Sequence, residues 1–300
     1  MTEVHQEDTV KKKLLEVVSR KHGGVPAYQQ SFIDIHKDDV YYRRIFKEIS
    51  FDLNIVGRSM VGPLLDIGSG CGTFLWVCKT SNIEAFGVEP DSDKIEVAKI
   101  VKLGGYVVRG VGEHLPFKDE SFNLVTSMSV IEHVQEPAEV LRESLRVTSR
   151  KGAIHLTAPD YSRCFHEGHY DLFWLPLFPK SIAKYYLRFR GRPNVDYIGS
   201  VQYVTGRSIR RIIKGHAGKI TDLRKLRISY MNQTRRQWLA GKIEHPELIK
   251  TGILRKLVHL SRMIGLSREV ILKLCLGSYP ILSLARKTSL SASVRYLIEK

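Results

Sequence analysis

Cysteine is scarce in this sequence: Cys71, Cys78, Cys164 and Cys275 are the only four in 300 residues, and no two of them form a Cys-x-x-Cys pair. A disulfide-stapled scaffold and a cysteine-rich zinc module are therefore excluded as organising devices. Long apolar runs are missing as well. No stretch offers the roughly 20 uninterrupted apolar residues that a spanning helix needs. Charges are scattered through the first thirty positions, where a secretory signal would require an apolar segment. A cytoplasmic protein with reduced thiols is expected. Acidic residues are also outnumbered, 31 against 47 Lys and Arg, which gives a formal net charge of +16. No internal repeat or low-complexity tract is visible, which sets aside solenoid and fibrous architectures.

What is present is an ordinary globular composition, 43% hydrophobic, in a chain long enough for one sizeable core or two small ones. The positive charge is uneven. Residues 184 to 236 hold fourteen Lys or Arg against two Asp, or +12. Such a face suits phosphate, an anionic glycan, nucleic acid or lipid headgroups, or else it is a solvated surface with scattered salt bridges.

Periodicity divides the chain. Residues 1 to 59 read as an N-terminal helical cap, with one helix up to about residue 21 and a second from Asp38 to Ser50 carrying Tyr41 and Tyr42. From Val61 onward, strands and helices alternate as in a parallel sheet covered on both faces. Strands are expected near 61 to 66, 83 to 89, 106 to 109, 122 to 128 and 152 to 158. Helices are expected over about 72 to 80, 91 to 103 and 136 to 147, with Asp91 or Ser92 capping the second and Pro137 in the first turn of the third. An aromatic-rich insertion over about 160 to 200 follows, with a short helix near 180 to 190. Thr205 or Ser208 precedes a helix over 206 to 215, and a strand is expected around 219 to 227. Residues 232 to 276 are helical in pattern.

The stretch that organises this pattern is Leu64-Leu65-Asp66-Ile67-Gly68-Ser69-Gly70-Cys71-Gly72-Thr73-Phe74. An apolar strand runs into three alternate glycines, so the backbone can turn sharply and approach a ligand where a Cβ would collide. A nucleotide-like group is expected there. The dinucleotide fingerprint Gly-x-Gly-x-x-Gly is not met, because the third glycine comes one residue early and Thr73 holds the completing position. Asp66, just inside the strand end, would repel a diphosphate and suits a ligand carrying an ammonium group.

The run from Asp66 to Gly72 resembles the first motif of class I S-adenosylmethionine-dependent methyltransferases. Glu89 and the phrase Gly112-Glu113-His114-Leu115-Pro116-Phe117 extend the resemblance, which is strong over about residues 60 to 160. It implies an α/β, Rossmann-like methyltransferase sheet, seven strands with the last antiparallel, occupying residues 60 to 300 behind the helical cap; Pro280 to Lys287 resembles that last strand, which makes about 230 to 277 a helical insertion inside the fold. It implies S-adenosyl-L-methionine as cofactor. Gly68, Ser69 and Gly70 would then frame its methionine part, with Asp66 nearby. Glu89, followed by Pro90, would accept hydrogen bonds from the ribose hydroxyls, as an acidic residue at the second strand end does for nucleosides generally. Gly112, Glu113 and His114 would line the adenine, and Ser129, after the fourth strand, would border the sulfonium. Many relatives place Asp immediately before the position of Gly112. Here Val111 stands there, so backbone around Gly112 or the Glu113 carboxylate would replace it. The cap in such families often closes over the cofactor, giving Tyr41 or Tyr42 either a ligand contact or a packing role.

Methyl transfer is an in-line displacement that requires no metal or covalent intermediate, and positioning alone supplies much of the acceleration. A hydroxyl acceptor gains from a nearby base. His169, within the aromatic phrase from His166 to Pro176, ranks first for that duty. His133, after Glu132, ranks second, with loop organisation as the alternative role for each. The His-x-x-His spacing of 166 and 169 lacks the further ligands a zinc site needs, so no metal is expected.

For the acceptor, the sequence after residue 160 is similar to microbial methyltransferases, some associated with surface polysaccharides. O-methylation of a glycan, a lipid-linked glycan or another small-molecule hydroxyl is the leading expectation. The alternatives are a quinone or lipid-like metabolite, RNA, and a noncatalytic cofactor-binding scaffold. An apolar helical region over 248 to 276 suits peripheral contact with an anionic membrane at its inner face. RNA is disfavoured, since no RRM signature, zinc motif or appended RNA domain is present.

Overall fold

A computed structural model describes residues 39–100, 106–163, 166, 167, 169, 170, 172, 173, 175–214, 216, 218–239 and 293–300. The chain divides into two compact units, one formed by Met1–Asp222 with Ala292–Lys300 and the other by Leu223–Ser291. The described part of the second is the helix Leu223–Leu239. Everything that follows lies in the first.

Apolar runs bounded by glycine and charge become strands β1 Leu64–Ile67, β2 Ala85–Glu89, β3 Val107–Arg109, β4 Phe122–Met128 and β5 Thr148–Pro159. All four residues of β1 are buried, as a strand covered on both faces requires. A short hairpin follows, β6 His166–Glu167 paired antiparallel with β7 Leu172–Phe173, and then β8 Lys219–Asp222 and β9 Ser293–Glu299. The main sheet has seven strands in the order β3-β2-β1-β4-β5-β9-β8. β3, β2, β1, β4 and β5 pair in parallel, while β9 runs antiparallel to both β5 and β8. This is the seven-stranded α/β sheet that the resemblance implies. The chain leaves β1 for β2 on one side and returns to β4 on the other, so a crevice opens at the carboxyl ends of β1 and β4.

Helices α1 Val40–Asn54, α2 Thr73–Thr80, α3 Ser92–Ile100 and α4 Pro137–Val147 accompany this half of the sheet. Asp91 Oδ1 accepts from Asp93 N at 3.0 Å and so starts α3, and Pro137 opens α4. In the insertion, α5 Lys180–Phe189 and a 3-10 turn Val195–Gly199 enclose a satellite core of Tyr170, Leu172, Leu175, Ala183, Leu187 and Ile198. Helix α6 Gly206–Ile213 begins with a reciprocal cap. Thr205 Oγ1 accepts from Ser208 N at 3.1 Å, and Ser208 Oγ accepts from Thr205 N at 2.9 Å.

Three boundaries differ from expectation. The N-terminal helix runs to Asn54, and its expected companion before residue 22 lies outside the described residues. The strand near 219 ends at Asp222, where a helix takes over. The antiparallel strand beside β5 is Ser293–Glu299, whereas the segment 280–287 expected there lies outside the described residues, as does the insertion beyond 239.

Helix α1 is fastened to the sheet by buried charge. Asp52 and His155, both fully buried, meet at 2.8 Å between Oδ2 and Nε2. Arg295 of β9 donates to Asp52 Oδ2 at 3.1 Å and to Glu48 Oε2 at 3.0 Å. No helix among the described residues is long and apolar enough to cross a membrane.

Candidate cofactor and acceptor site

The turn after β1 is held by β2. Gly68 N and Ser69 N both donate to Val88 O, at 2.8 and 3.1 Å, and Gly70 N donates to Glu89 Oε2 at 2.9 Å. Gly68 and Gly70 have φ of 71° and 58°, a region other residues enter only with strain, and a Cβ on Gly68 would stand 2.5 Å from Val130 Cγ2. The Ser69 side chain turns toward the sheet, over Gly87, where a Cβ would meet its Oγ at 2.4 Å. Glu89, buried at the end of β2, also accepts from Asp91 N at 3.1 Å through Oε1, with Lys94 Nζ at 3.7 Å. Backbone N–H groups thus occupy part of its acceptor capacity, and a carboxylate's two oxygens offer about four lone-pair directions, enough for a pair of vicinal hydroxyls as well. Pro90 lies exposed beside it.

Asp66 is buried under this turn. Its Oδ1 accepts from Thr126 Oγ1 at 2.7 Å. Burial pushes its carboxyl up to about 7, against the lowering effect of Thr126, and Glu89 pushes in the same direction as burial. Helix α1 brings Tyr42 into the same field. Its phenol is pushed well up by burial and then by Cys71, Tyr41, Asp66 and Glu89. Tyr41 stands edge-on to Tyr42, with ring centroids 5.2 Å apart. Two carboxyl groups at the mouth of a glycine turn suit a ligand that carries ammonium and sulfonium charge and oppose a pyrophosphate. The residues present therefore fit S-adenosylmethionine.

The loop after β3 is clamped to α4. A Cβ on Gly112 would meet Val140 Cγ1 at 3.1 Å and Ile67 Cγ2 at 3.2 Å, so glycine lets the loop lie against β1 and α4. Glu113 Oε1 accepts from Gln135 N at 2.9 Å and Glu136 N at 3.3 Å, satisfying N–H groups at the start of α4. His114 is exposed and bridges to Val111. One turn of α4 completes the clamp. Glu143 Oε2 accepts from Leu115 N at 2.8 Å, while Arg146 donates to Leu115 O at 3.0 Å and Phe117 O at 2.8 Å. Glu113, Glu143 and Arg146 thus fix the loop's shape. None of these positioning roles was legible beforehand.

On the side expected for the acceptor, β4 ends at Met128 and is followed by Ser129, which is exposed with φ 55° and donates from its backbone N to Thr157 O at 2.9 Å. Beyond it, residues distant in sequence converge. His133 and His169 meet edge to face with centroids 4.9 Å apart, and Tyr197 lies 5.4 Å from His169 by the same measure. Tyr197 Oη and His133 Nδ1 are 3.1 Å apart. His169 Nδ1 lies 2.5 Å from Oε1 of Glu167, a fully buried residue. With the Nδ1–H donated to that carboxylate, the imidazole lone pair sits on Nε2. Glu132 is buried beside them, with Oε1 3.9 Å from His133 Nε2, and burial pushes its carboxyl up to about 7. Among the described residues, Glu132 Oε2 and Glu167 Oε2 are both buried with no hydrogen-bond partner. The two histidines expected as candidate bases therefore stand side by side. Glu167 and Tyr197 were missed. Glu167 leaves a faint signal, two residues before His169 in a tight hairpin, and Tyr197 leaves none. The side chain of His166 lies outside the described set. Among the described residues, no group of three His, Cys, Asp or Glu is placed to hold a metal ion.

Comparison with known proteins agrees with this geometry. Residues 65–156 match the methyltransferase domain family. An uncharacterized methyltransferase of Mycobacterium tuberculosis is 35% identical over 152 residues, 48% of this chain and 56% of the relative. One from Mycobacterium leprae is 38% identical over 108 residues, 35% of this chain and 40% of the relative. The chain spans about half the length of the curated relatives it matches. Among solved structures, a SAM-dependent methyltransferase and possible histamine N-methyltransferase from Thermotoga maritima is 21% identical. That alignment covers 69% of this chain and 82% of that one, with a TM-score of 0.42.

Proposed function

We propose that this chain, which carries the class I S-adenosylmethionine-dependent methyltransferase fold, transfers a methyl group to a hydroxyl of a glycan, a lipid-linked glycan or another small molecule. The observation that carries the reading is His169, held by the buried carboxylate of Glu167 beside His133, beyond the carboxyl end of β4 where an acceptor would enter.

S-adenosylmethionine, when bound, supplies a methyl carbon activated by positive sulfur. The chain's own residues do the rest. Gly68 and Gly70 keep the turn low enough for the amino-acid portion to approach, and Asp66 lies beneath it as a counter-charge. Glu89 takes the ribose hydroxyls, and backbone around Gly112 meets the adenine edge, since Glu113 is engaged with the start of α4. Tyr42 covers the crevice from α1. His169 Nε2 accepts the acceptor's hydroxyl proton, and Glu167 stabilises the imidazolium that results. The unpartnered oxygens of Glu132 and Glu167 receive hydrogen bonds from further hydroxyls, which favours a polyhydroxylated acceptor.

The test is twofold. Mass spectrometry of metabolite and glycan pools incubated with the protein and methyl-labelled S-adenosylmethionine identifies the acceptor. With it in hand, His169→Ala retains cofactor affinity by calorimetry and loses about 10²- to 10⁴-fold in kcat. Unchanged turnover at saturating acceptor would remove His169 from the chemistry.

A further inference from the structure

Helix α5 is apolar on two opposite sides. Ala183 and Leu187 are fully buried in the satellite core, as a helix packed on a small domain requires. The other side carries Ile182, Tyr185 and Phe189, which are 52%, 72% and 77% exposed, and Leu177 just before the helix is 53% exposed. At 100° per residue, those three helix positions fall within about 60° of one another, roughly opposite the buried pair. Three large apolar side chains along one helix and a fourth just before it, all turned to solvent, exceed the scattered exposure of an ordinary surface.

The charge around this stripe has one sign. From residue 172 to residue 195 the sequence carries Lys180, Lys184, Arg188, Arg190 and Arg192 and no acidic residue. Arg188 and Arg190 are exposed beside the stripe, and the Arg190 guanidinium lies 5.8 Å from the Tyr186 ring. Lys184 is paired with Asp196 at 2.7 Å, and Lys180 donates to Gly199 O and Val201 O at 2.7 Å, so both brace the helix from beneath. Aromatic and aliphatic tips bordered by arginines make the two-part surface that enters the boundary of a lipid layer while its cations meet headgroup phosphates.

We infer that α5 and the turn before it form the docking surface by which this protein sits on an anionic lipid bilayer, with Leu177, Ile182, Tyr185 and Phe189 entering the interface and Arg188 and Arg190 contacting headgroups. The occupant is a bilayer because the stripe is apolar at its centre and bordered by the exposed cations Arg188 and Arg190, while the acidic Asp196 beside the helix is engaged by Lys184. The same subdomain carries His169 and Tyr197, so docking would bring a lipid-borne acceptor to the candidate base. The surface itself stands independently of the methyl-transfer reading.

The experiment is flotation of the purified full chain with vesicles of phosphatidylcholine alone and of phosphatidylcholine with phosphatidylglycerol. The wild-type chain floats with the anionic vesicles, and high salt weakens the association. Tyr185→Ser with Phe189→Ser, and separately Arg188→Gln with Arg190→Gln, each lower the partition coefficient about tenfold or more. All four side chains are exposed, so neither pair disturbs the core, and circular dichroism confirms the fold. Three results overturn the inference: no wild-type binding to anionic vesicles, equal binding by both variant pairs, or a wild-type dimer in sedimentation that the Ser pair abolishes. The last would assign the stripe to a second copy of the chain. Because flotation requires no turnover, its failure is separable from failure of the proposed activity.

Discussion

Asp66→Asn offers a quantitative check on the crevice. The carboxyl is completely buried beneath the glycine turn and is pushed from an ordinary 3.8 up to about 7, first by burial and then by Glu89, with Thr126 pulling the other way. The sign follows from linkage. The folded value lies above the unfolded one, so the fold has the full benefit of a protonated Asp66 below about pH 4 and loses it as pH rises through about 7. At 1.36 kcal/mol per unit, the whole shift amounts to about 4 kcal/mol, of which about 2 to 3 kcal/mol is lost between about pH 5 and pH 8. Asn is isosteric, stays neutral, and can accept the same bond from Thr126 Oγ1 through its own Oδ1. Urea unfolding of the cofactor-free chain should therefore show the variant gaining on the wild type by about 2 to 3 kcal/mol over that interval. Calorimetry at pH 8 should show weakened S-adenosylmethionine binding, because the counter-charge is gone. Parallel stability profiles for the two proteins would refute the burial argument, and unaltered binding would refute the counter-charge.

Two further outcomes are expected. Glu167→Gln should lower kcat about 100-fold while leaving KM and cofactor affinity near wild type, with Glu167→Asp partly restoring it, because Gln cannot balance an imidazolium on His169; a variant that raised KM alone would assign Glu167 to substrate binding. Asp52→Ala should cost about 3 to 5 kcal/mol in chemical denaturation, since it leaves the buried His155 without its carboxylate and Arg295 with Glu48 alone. A loss below about 1 kcal/mol would show that α1 is held by apolar packing instead.

The parallel half of the sheet was readable because doubly covered strands are short apolar runs and its breaks fall on glycine or on capping Asp and Pro, as at Gly68, Asp91 and Pro137. The antiparallel strand was misplaced for a complementary reason. The run Ile281-Leu282-Ser283-Leu284-Ala285 offers more continuous apolarity than Ser293–Glu299, where Arg295 and Glu299 interrupt the pattern. Those charges serve the fold: Arg295 meets Asp52 and Glu48, and Glu299 meets Arg58 at 2.9 Å. The glycine turn and Glu89 are encoded locally, so they could be named from the sequence. The acceptor-side cluster joins residues 132–133, 167–169 and 197, and no local pattern foretells that Tyr197 meets His133. Glu113 shows the opposite case, in which a motif residue is occupied by a helix start that the spacing alone did not reveal.

The placement of β9 bears on how the protein is made. As the chain leaves the ribosome, β1 to β5 can assemble early, yet the outer edge of β5 stays open and β8 has no strand beside it until residues 293–299 emerge. Arg295 then arrives 243 positions after Asp52 and adds its guanidinium to the pair that Asp52 of α1 makes with His155 of β5. The helix that carries Tyr42 is thus latched by a segment synthesised well after it. A nascent polypeptide stopped short of that latch would show a raw sheet edge to chaperones and proteases, and the shelter over its cofactor crevice would be unfastened.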